Sequence, residues 1–571
     1  MTIDLARRLA IARGDEPADV VLSGGRVLSV FTGELLEADV AIAGRHVAGV
    51  GPGYDGGERV DVSDLILLPG FVEGHMHLES TKLTIDQFAR AAIPWGTTTV
   101  VLDPHEIANV FGVDGVRAML RSAEAVPLDV FVMMSSCVPA SPFESNGATV
   151  TADDIAAFLA EEPNAIGLAE MMDFPAVVAG QDDALAKLDA VGGRHVDGHA
   201  PGLTGRALNA YLAAGVMSDH ECTSYEEALE KRRLGMWIMI REGSAARNLE
   251  AILPMVLDHG PTNCLLCTDD LEPDHLLEEG HVNDVIRKAV AMGCPPWDAV
   301  VMGTLNAARY HRLPEHGAVA PGYLADVVAV PDLVSFRPAA VWKHGRRVSE
   351  GEASIEIAGS ELPDWMRGSV RVRELAPQDF AIVADGSVRV IGVAPRQIVT
   401  RALVERPPAR DGHVLAAPES GLAKLAVIER HRNTGRMGLG FVRGFGIRRG
   451  ALATTLAHDA HNLVVVGVDD ADMATAANRL RETGGGQVAI ANGEVVAEVP
   501  CPFGGLLSDL TVEDVAARTH ALERAARELG TTLPAPFSAM SFLSLSVIPE
   551  LKLTDRGLVD VNRFELVPLE V

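Results

Sequence analysis

Residues 67–77 read LLPGFVEGHMH, an apolar run that ends in two histidines one residue apart. Alternate residues of a strand face the same side. His75 and His77 therefore point together, as two imidazoles on one metal must. Seven further runs share this form, apolar and closed by polar or ionisable residues. They are TTTVVLDPHE (97–106), DVFVMMSSCVP (129–139), AIGLAEMMD (165–173), RHVDGHAPG (194–202), VMSDHECT (216–223), MWIMIREGS (236–244) and NCLLCTDD (263–270). Between them lie helix-length segments such as TIDQFARAAIPW, DDIAAFLAEE, LTGRALNAYLAAG, SYEEALEKRRLG and VNDVIRKAVAMG. Strands alternating with helices predict a parallel sheet covered by helices. Eight strands over this span match an α/β TIM (β/α)8 barrel, whose active face is its C-terminal rim. His75, His77, Asp103, His105, Glu170, His199, His220, Arg241, Glu242, Asp269 and Asp270 would gather on that rim.

Outside this span the rhythm changes. DVVLSGGRVLSV, ADVAIAGRHVAGVG and GERVDVSDLILLPG are short alternating segments punctuated by glycine. Matching pieces return as ADVVAVPDL, AAVWKHGRRVSEG and ASIEIAG. One small β-sandwich domain built from residues 1–66 and 339–360 is expected, bracketing a barrel of residues 67–338. SELPDWMRGSVR (360–371) reads as a linker. Residues 361–571 are expected to form a C-terminal α+β domain, with strands such as LAKLAVIERHR and HNLVVVGVD and helices such as VEDVAARTHALERAARELG.

A chain of 571 residues is too long for one core. Its net charge of −29 argues against nucleic acid as a partner, because phosphate recruits Lys and Arg. MTIDLARRLAIARG at the start lacks the apolar core of a signal peptide, and no run reaches the length of a membrane helix. A cytoplasmic protein with no membrane partner is expected, working as a homodimer or larger homo-oligomer. Six cysteines do not make a disulfide framework, and the CxxC of Cys264 and Cys267 lacks the second pair of a zinc ribbon. Both read as core residues.

Taken singly, the rim residues have ordinary explanations. His199 suits a hydrogen-bonded core histidine, Glu170 a salt-bridge partner and Asp269 a helix cap. Their order on successive strands outweighs these. Imidazoles with carboxylates suit two divalent cations. A glutamate between two metals bridges them, and a hydroxide held there is a nucleophile at neutral pH. Asp269 would take its proton and pass it on. Asp103 and His105 would otherwise hold the ligands in place. In the tail, Ala457-His458-Asp459-Ala460-His461-Asn462 is a polar turn, a separate weak metal site, or a lid that reaches the barrel mouth.

PGFVEGHMHLES, GTTTVVLDPHEIANV, GLAEMMDFP, DGHAPGLTG, SDHECTSYEEALEKRRLGMWIMIREGSAARNL and LCTDDLEPDHLLEEGHVNDVIRKAV resemble the amidohydrolase superfamily. Within it they closely resemble the bacterial adenine deaminases. The likeness continues through GFGIRRGALATTLAHDAHNLVVVG and SFLSLSVIPELKLTDRGLVDV and spans nearly the whole chain. It implies a binuclear centre with Glu170 as bridging carboxylate, where many relatives use a carboxylated lysine. His75, His77 and Asp269 would serve one metal, and His199 and His220 the other. Mn(II) or Fe(II) is implied by the family, and the donor types also permit Zn(II). The implied reaction is that of a metal-dependent hydrolase of cyclic amidines: adenine and water give hypoxanthine and ammonia, in purine salvage. Hydroxide would attack C6, Asp269 would protonate the leaving ammonia, and Glu242, Glu106 or His105 would protonate the ring. Arg241, Ser244, Asp103, Glu106, His458 and Asp459 are candidate substrate contacts. The alternatives are a hydrolase of another nucleobase or cyclic amide, or a scaffold without catalysis.

Overall fold

The computed structural model describes residues 5–571 apart from 245, 352, 355, 356, 358, 396 and 397. Eight parallel strands form its centre: β1 (Phe71–Met76), β2 (Thr97–Leu102), β3 (Asp129–Met134), β4 (Ala165–Met171), β5 (His195–Gly198), β6 (Ser218–Asp219), β7 (Trp237–Arg241) and β8 (Cys264–Cys267). Pairing is continuous from β1 to β5 and from β6 to β8. Two joints close the ring. Met217 N–H donates to the Val196 carbonyl at 3.0 Å between β5 and β6. Asp269 N–H donates to the His75 carbonyl at 3.0 Å, and His77 N–H donates to the Asp269 carbonyl at 3.2 Å. The result is a TIM barrel.

Helices cover it, among them Ile85–Ala92, Val113–Ala123, Gly205–Ala213, Tyr225–Arg233 and Val282–Ala291. β1, β2 and β8 are buried along their whole length, as parallel strands covered on both faces must be. The CxxC pair divides between two packings. Cys264 and Leu266 join the main core, and Leu265 and Cys267 pack with Val72, Met239 and Tyr310. All six cysteines are buried and free.

The opening stretch LLPGFVEGHMH serves two sheets. Ile66–Pro69 pairs antiparallel with Val327–Val330, and only Phe71–Met76 enters the barrel. Gly70 is the crossover, and a Cβ there would lie 2.1 Å from Thr98 Oγ1. The small domain has two sheets. One holds Ala18–Ser23, Asp39–Ala43, His46–Gly51 and Gly56–Asp61. The other runs from Leu35–Glu37 through Arg26–Leu28, Ile66–Pro69, Val327–Val330 and Ala340–Lys343 to Arg346–Glu350 and Ala353–Ser354. Leu22, Val40, Ile42, Leu67, Val327 and Trp342 fill the space between. Strand pairing thus carries this domain beyond residues 1–66 and 339–360. An ion cluster ties it to the barrel: Asp129, at the start of β3, lies 2.6 Å from Lys343 Nζ, 2.9 Å from His316 and 3.0 Å from His344.

After residue 360 the chain is packed, not a free tether, since Leu362 and Met366 are buried. The C-terminal part is an eight-stranded, mostly antiparallel sheet that includes Leu422–Ile428, Met437–Arg443 and Leu463–Gly467. Helices Asp470–Thr483 and Val512–Glu528 pack on it. Part of its apolar set, including Leu425, Val466, Val515 and Leu522, joins one continuous cluster with residues of the barrel.

Candidate metal centre

Local chain geometry brings the rim residues together. Gly74 precedes His75, and a Cβ there would meet Leu265 Cδ1 at 2.6 Å, so glycine lets β1 approach β8. Gly198 precedes His199, and a Cβ there would sit 2.2 Å from the Ser218 carbonyl of β6. Asp269 follows β8 with φ 60°, a left-handed conformation uncommon for residues other than glycine. That turn lets its backbone grip β1 while its carboxylate points inward.

Around this carboxylate, Oδ1 lies 3.5 Å from His77 Nε2, and Oδ2 lies 3.7 Å from His75 Nε2 and 3.6 Å from His220 Nε2. Glu170 stands opposite. Its Oε2 is 2.7 Å from His199 Nδ1 and 3.0 Å from His220 Nε2, and its Oε1 is 3.3 Å from His105 Nδ1. His75, His77 and Asp269 offer three donor atoms within 4.8 Å of one another, and so do His75, Glu170 and His220. The Asp103 carbonyl, 2.9 Å from His77 Nδ1, can only accept, so Nδ1 carries the proton and Nε2 keeps its lone pair for a ligand. His75 Nε2 is buried without a hydrogen-bond partner. Buried imidazole lone pairs beside two carboxylates fit divalent cations.

Electrostatics divide the two carboxylates. Burial raises Glu170, but His199 and His220 overcome it and hold the group well below the usual range. Burial pushes Asp269 up to about 6, against the nearby Arg241 guanidinium. Arg241 Nη1 is 3.0 Å from Asp269 Oδ2, Nη2 donates to Asp270 at 3.1 Å, and a third contact reaches Glu221. On the other wall, burial lowers His105, but Glu106 and Asp103 lift it well above the ordinary imidazole range. Asp459 lies 3.7 Å from His105 Nε2, and His458 lies 3.8 Å from Glu106. The C-terminal part therefore forms one wall of the cavity. It also forms the roof: Ile398, Phe542, Leu545 and Ile548 line the space with Met172, and His458 stacks on Phe542 at 4.9 Å.

The chain is similar to known proteins over nearly its whole length. Residues 66–348 match the model of the amidohydrolase family, and residues 397–565 match the adenine deaminase C-terminal domain. An adenine deaminase of Cereibacter sphaeroides is 47% identical over 558 residues, covering 97% of this chain and 98% of the relative. One from Desulfatibacillum aliphaticivorans is 45% identical over 564 residues, covering 98% and 99%. The chain belongs to the adenine deaminase family. Among solved structures, the β-aspartyl dipeptidase of Fervidobacterium islandicum AW-1 is similar at 20% identity and a TM-score of 0.45, over 60% of this chain and 99% of that one.

Within this family member, His77, His105, Glu170, His199, His220, Arg241, Asp269, His458 and Asp459 line one cavity. His75 joins the cluster from beneath through its contact with Asp269. Asp103 and Glu106 stand behind His77 and His105. Two expected contacts lie elsewhere. Glu242 does not line the cavity, and its carboxylate faces Lys288 at 3.7 Å. As the residue after β7, it takes the side opposite Arg241. Ser244 Oγ lies 2.7 Å from His275 Nδ1 and accepts from Glu272 N–H at 2.8 Å, so it shapes the following loop. Glu221 and the roof residues carry no sequence signal of the ligand kind. Glu221 follows His220 directly and faces the same cavity because β6 has ended, a turn that strand alternation does not foresee.

Proposed function

We propose that this chain deaminates free adenine to hypoxanthine and ammonia. The observation that carries the reading is the meeting of Glu170, Asp269 and four histidines in one buried cluster, under a roof supplied by the segment that matches the adenine deaminase C-terminal domain. His75, His77 and Asp269 are assigned to one cation, His199 and His220 to a second, and Glu170 to both. Mn(II) or Fe(II) suits this oxygen and nitrogen donor set, and Zn(II) is compatible. Cations bound there supply Lewis acidity that makes water a nucleophile at neutral pH.

The chain's own residues do the rest. Asp269, whose carboxylate faces His75, His77 and His220 inside the cavity, accepts a proton from the attacking water and delivers it to the departing amine at C6. His105 stands on the cavity wall with Glu106 behind it; it hands a proton to the ring nitrogen next to C6 and is reprotonated by the second proton of the water, released as the C6 carbonyl forms and ammonia departs. Arg241 holds the Asp269 carboxylate in place with its planar fork. Met172, Phe542, Leu545 and Ile548 give the flat purine an apolar surface and exclude water. The proposed setting is a cytoplasmic homo-oligomer of three-domain chains: a β-sandwich, the barrel, and a C-terminal α+β domain that closes the site.

The test offers purified protein adenine, guanine, cytosine, adenosine, dihydroorotate and hydantoin, with Mn(II) or Fe(II) supplied. Ammonia from adenine alone is expected. Turnover of dihydroorotate or hydantoin in its place would transfer the reading to another cyclic-amide hydrolase.

A further inference from the structure

The roof over the cavity hangs on one buried lysine. Lys552 lies on strand Leu551–Thr554, which pairs with Gly557–Asp560 as a hairpin. Strand alternation sends Leu551 and Leu553 into the main core and Lys552 and Thr554 to the opposite face. Lys552 is 0% exposed and makes no ion pair among the described residues. Its Nζ donates to the Ile398 carbonyl at 2.9 Å and to the Phe542 carbonyl at 2.9 Å. Those two residues line the cavity from different segments of the chain.

The rest of the hairpin grips a loop of the barrel outside the cavity lining. Thr554 Oγ1 donates to the Phe143 carbonyl at 2.6 Å, and Asp555 Oδ1 accepts from Ser145 N–H at 2.9 Å, both in the loop after β3. Ile398 and Phe542 pack against Cys137, Met172, Leu545 and Ile548, an apolar patch directly above Glu170. A fully buried lysine without a carboxylate is costly, and burial pushes its amine down to about 7. A methionine of the same length would fill the space at no such cost. What the amine adds, charged or neutral, is two hydrogen bonds to carbonyls that would otherwise lose their partner.

We propose that Lys552 is a positioning residue that pins the Ile398 and Phe542 segments together as one rigid roof, and so sets affinity for the base without touching the reacting atoms. The affinity part rests on the adenine reading above, and the rigidity part does not. A roof that contacts the purine face binds ground state and transition state alike, so losing its order raises KM and leaves kcat nearly unchanged.

The experiment compares metal-loaded wild type with Lys552→Met, and with Lys552→Gln, which keeps one donor should the first variant fold poorly. Amide hydrogen exchange is expected to rise selectively in residues 398–403 and 540–549, with bound metal unchanged. KM for adenine and the inhibition constant of hypoxanthine are expected to rise together by about tenfold, with kcat within about threefold of wild type. Unchanged exchange in the roof would overturn the proposal. So would an equal rise throughout the C-terminal sheet, which marks a general loss of stability, or a fall in kcat at constant KM. Wild type that releases no ammonia from adenine would sink the deaminase reading instead, and the exchange measurement would still decide the role of Lys552.

Discussion

Replacing Asp269 by asparagine removes proton transfer while keeping the size of the side chain and an oxygen that can still face the assigned cation. Its backbone sits at φ 60°, which asparagine tolerates better than most residues. Alanine would add about 1–2 kcal/mol of backbone strain and blur the result. Arg241 keeps Glu221 and Asp270 as partners, so the guanidinium is not left unpaired. The hydrogen bonds from Asp269 N–H to His75 and from His77 to Asp269 use only backbone atoms and survive. What is lost is a carboxylate able to take and return a proton. General acid–base groups contribute about 10²–10⁴-fold in rate. This corresponds to about 3–5 kcal/mol of barrier. Asp269→Asn is therefore expected to lower kcat by at least about a hundredfold, with KM changed by less than about threefold. The assay follows adenine consumption and ammonia release at saturating Mn(II), with metal content measured on the same sample. A kcat within about threefold of wild type, with the metals still bound, would remove Asp269 from proton transfer.

Other perturbations read other parts of the design. Glu170→Gln removes the charge beside His199 and His220, and metal content measured after dialysis is expected to fall for one or both ions; a fully loaded variant would refute the shared ligand. Arg241→Met leaves the buried Glu221 and Asp269 and the part-buried Asp270 without their cation and is expected to cost about 3–5 kcal/mol in a denaturant titration. Asp129→Asn breaks the cluster with His316, His344 and Lys343. Burial alone would raise Asp129, but these partners hold its carboxyl far below its unfolded value of about 3.9. Its stabilisation is therefore complete above that value and is lost as pH falls below it. Wild type and variant are expected to differ by about 3 kcal/mol at pH 7, with the gap narrowing in acid. A gap that stayed constant from neutral pH into acid would contradict the linkage.

Most of the barrel can be read from residue order. Apolar runs ending in charge recur at helix-length intervals, and nothing but a parallel sheet accounts for eight of them. The tail helices Asp470–Thr483 and Val512–Glu528 are likewise plain from their periodicity. LLPGFVEGHMH is less transparent, because the same alternation continues across Gly70 although the strand changes sheets there. β6 is shorter than the run VMSDHECT suggests, with only Ser218 and Asp219 in the strand.

Sequence alone determined the kind of donor at or just past each strand end, and the shared side of His75 and His77, because alternation along a strand is local. It could therefore name His75, His77, Glu170, His199, His220 and Asp269 as one group. Only the folded chain decided which polar neighbours face the cavity. Glu242 turns to Lys288 and Ser244 to His275, whereas Glu221 turns inward, since loop directions beyond a strand end depend on packing partners far away in the chain. The roof belongs to the same class. Ile398, Phe542, Leu545 and Ile548 are ordinary apolar residues in sequence, and they become part of a site because the C-terminal part docks on the barrel mouth and Lys552 holds them there.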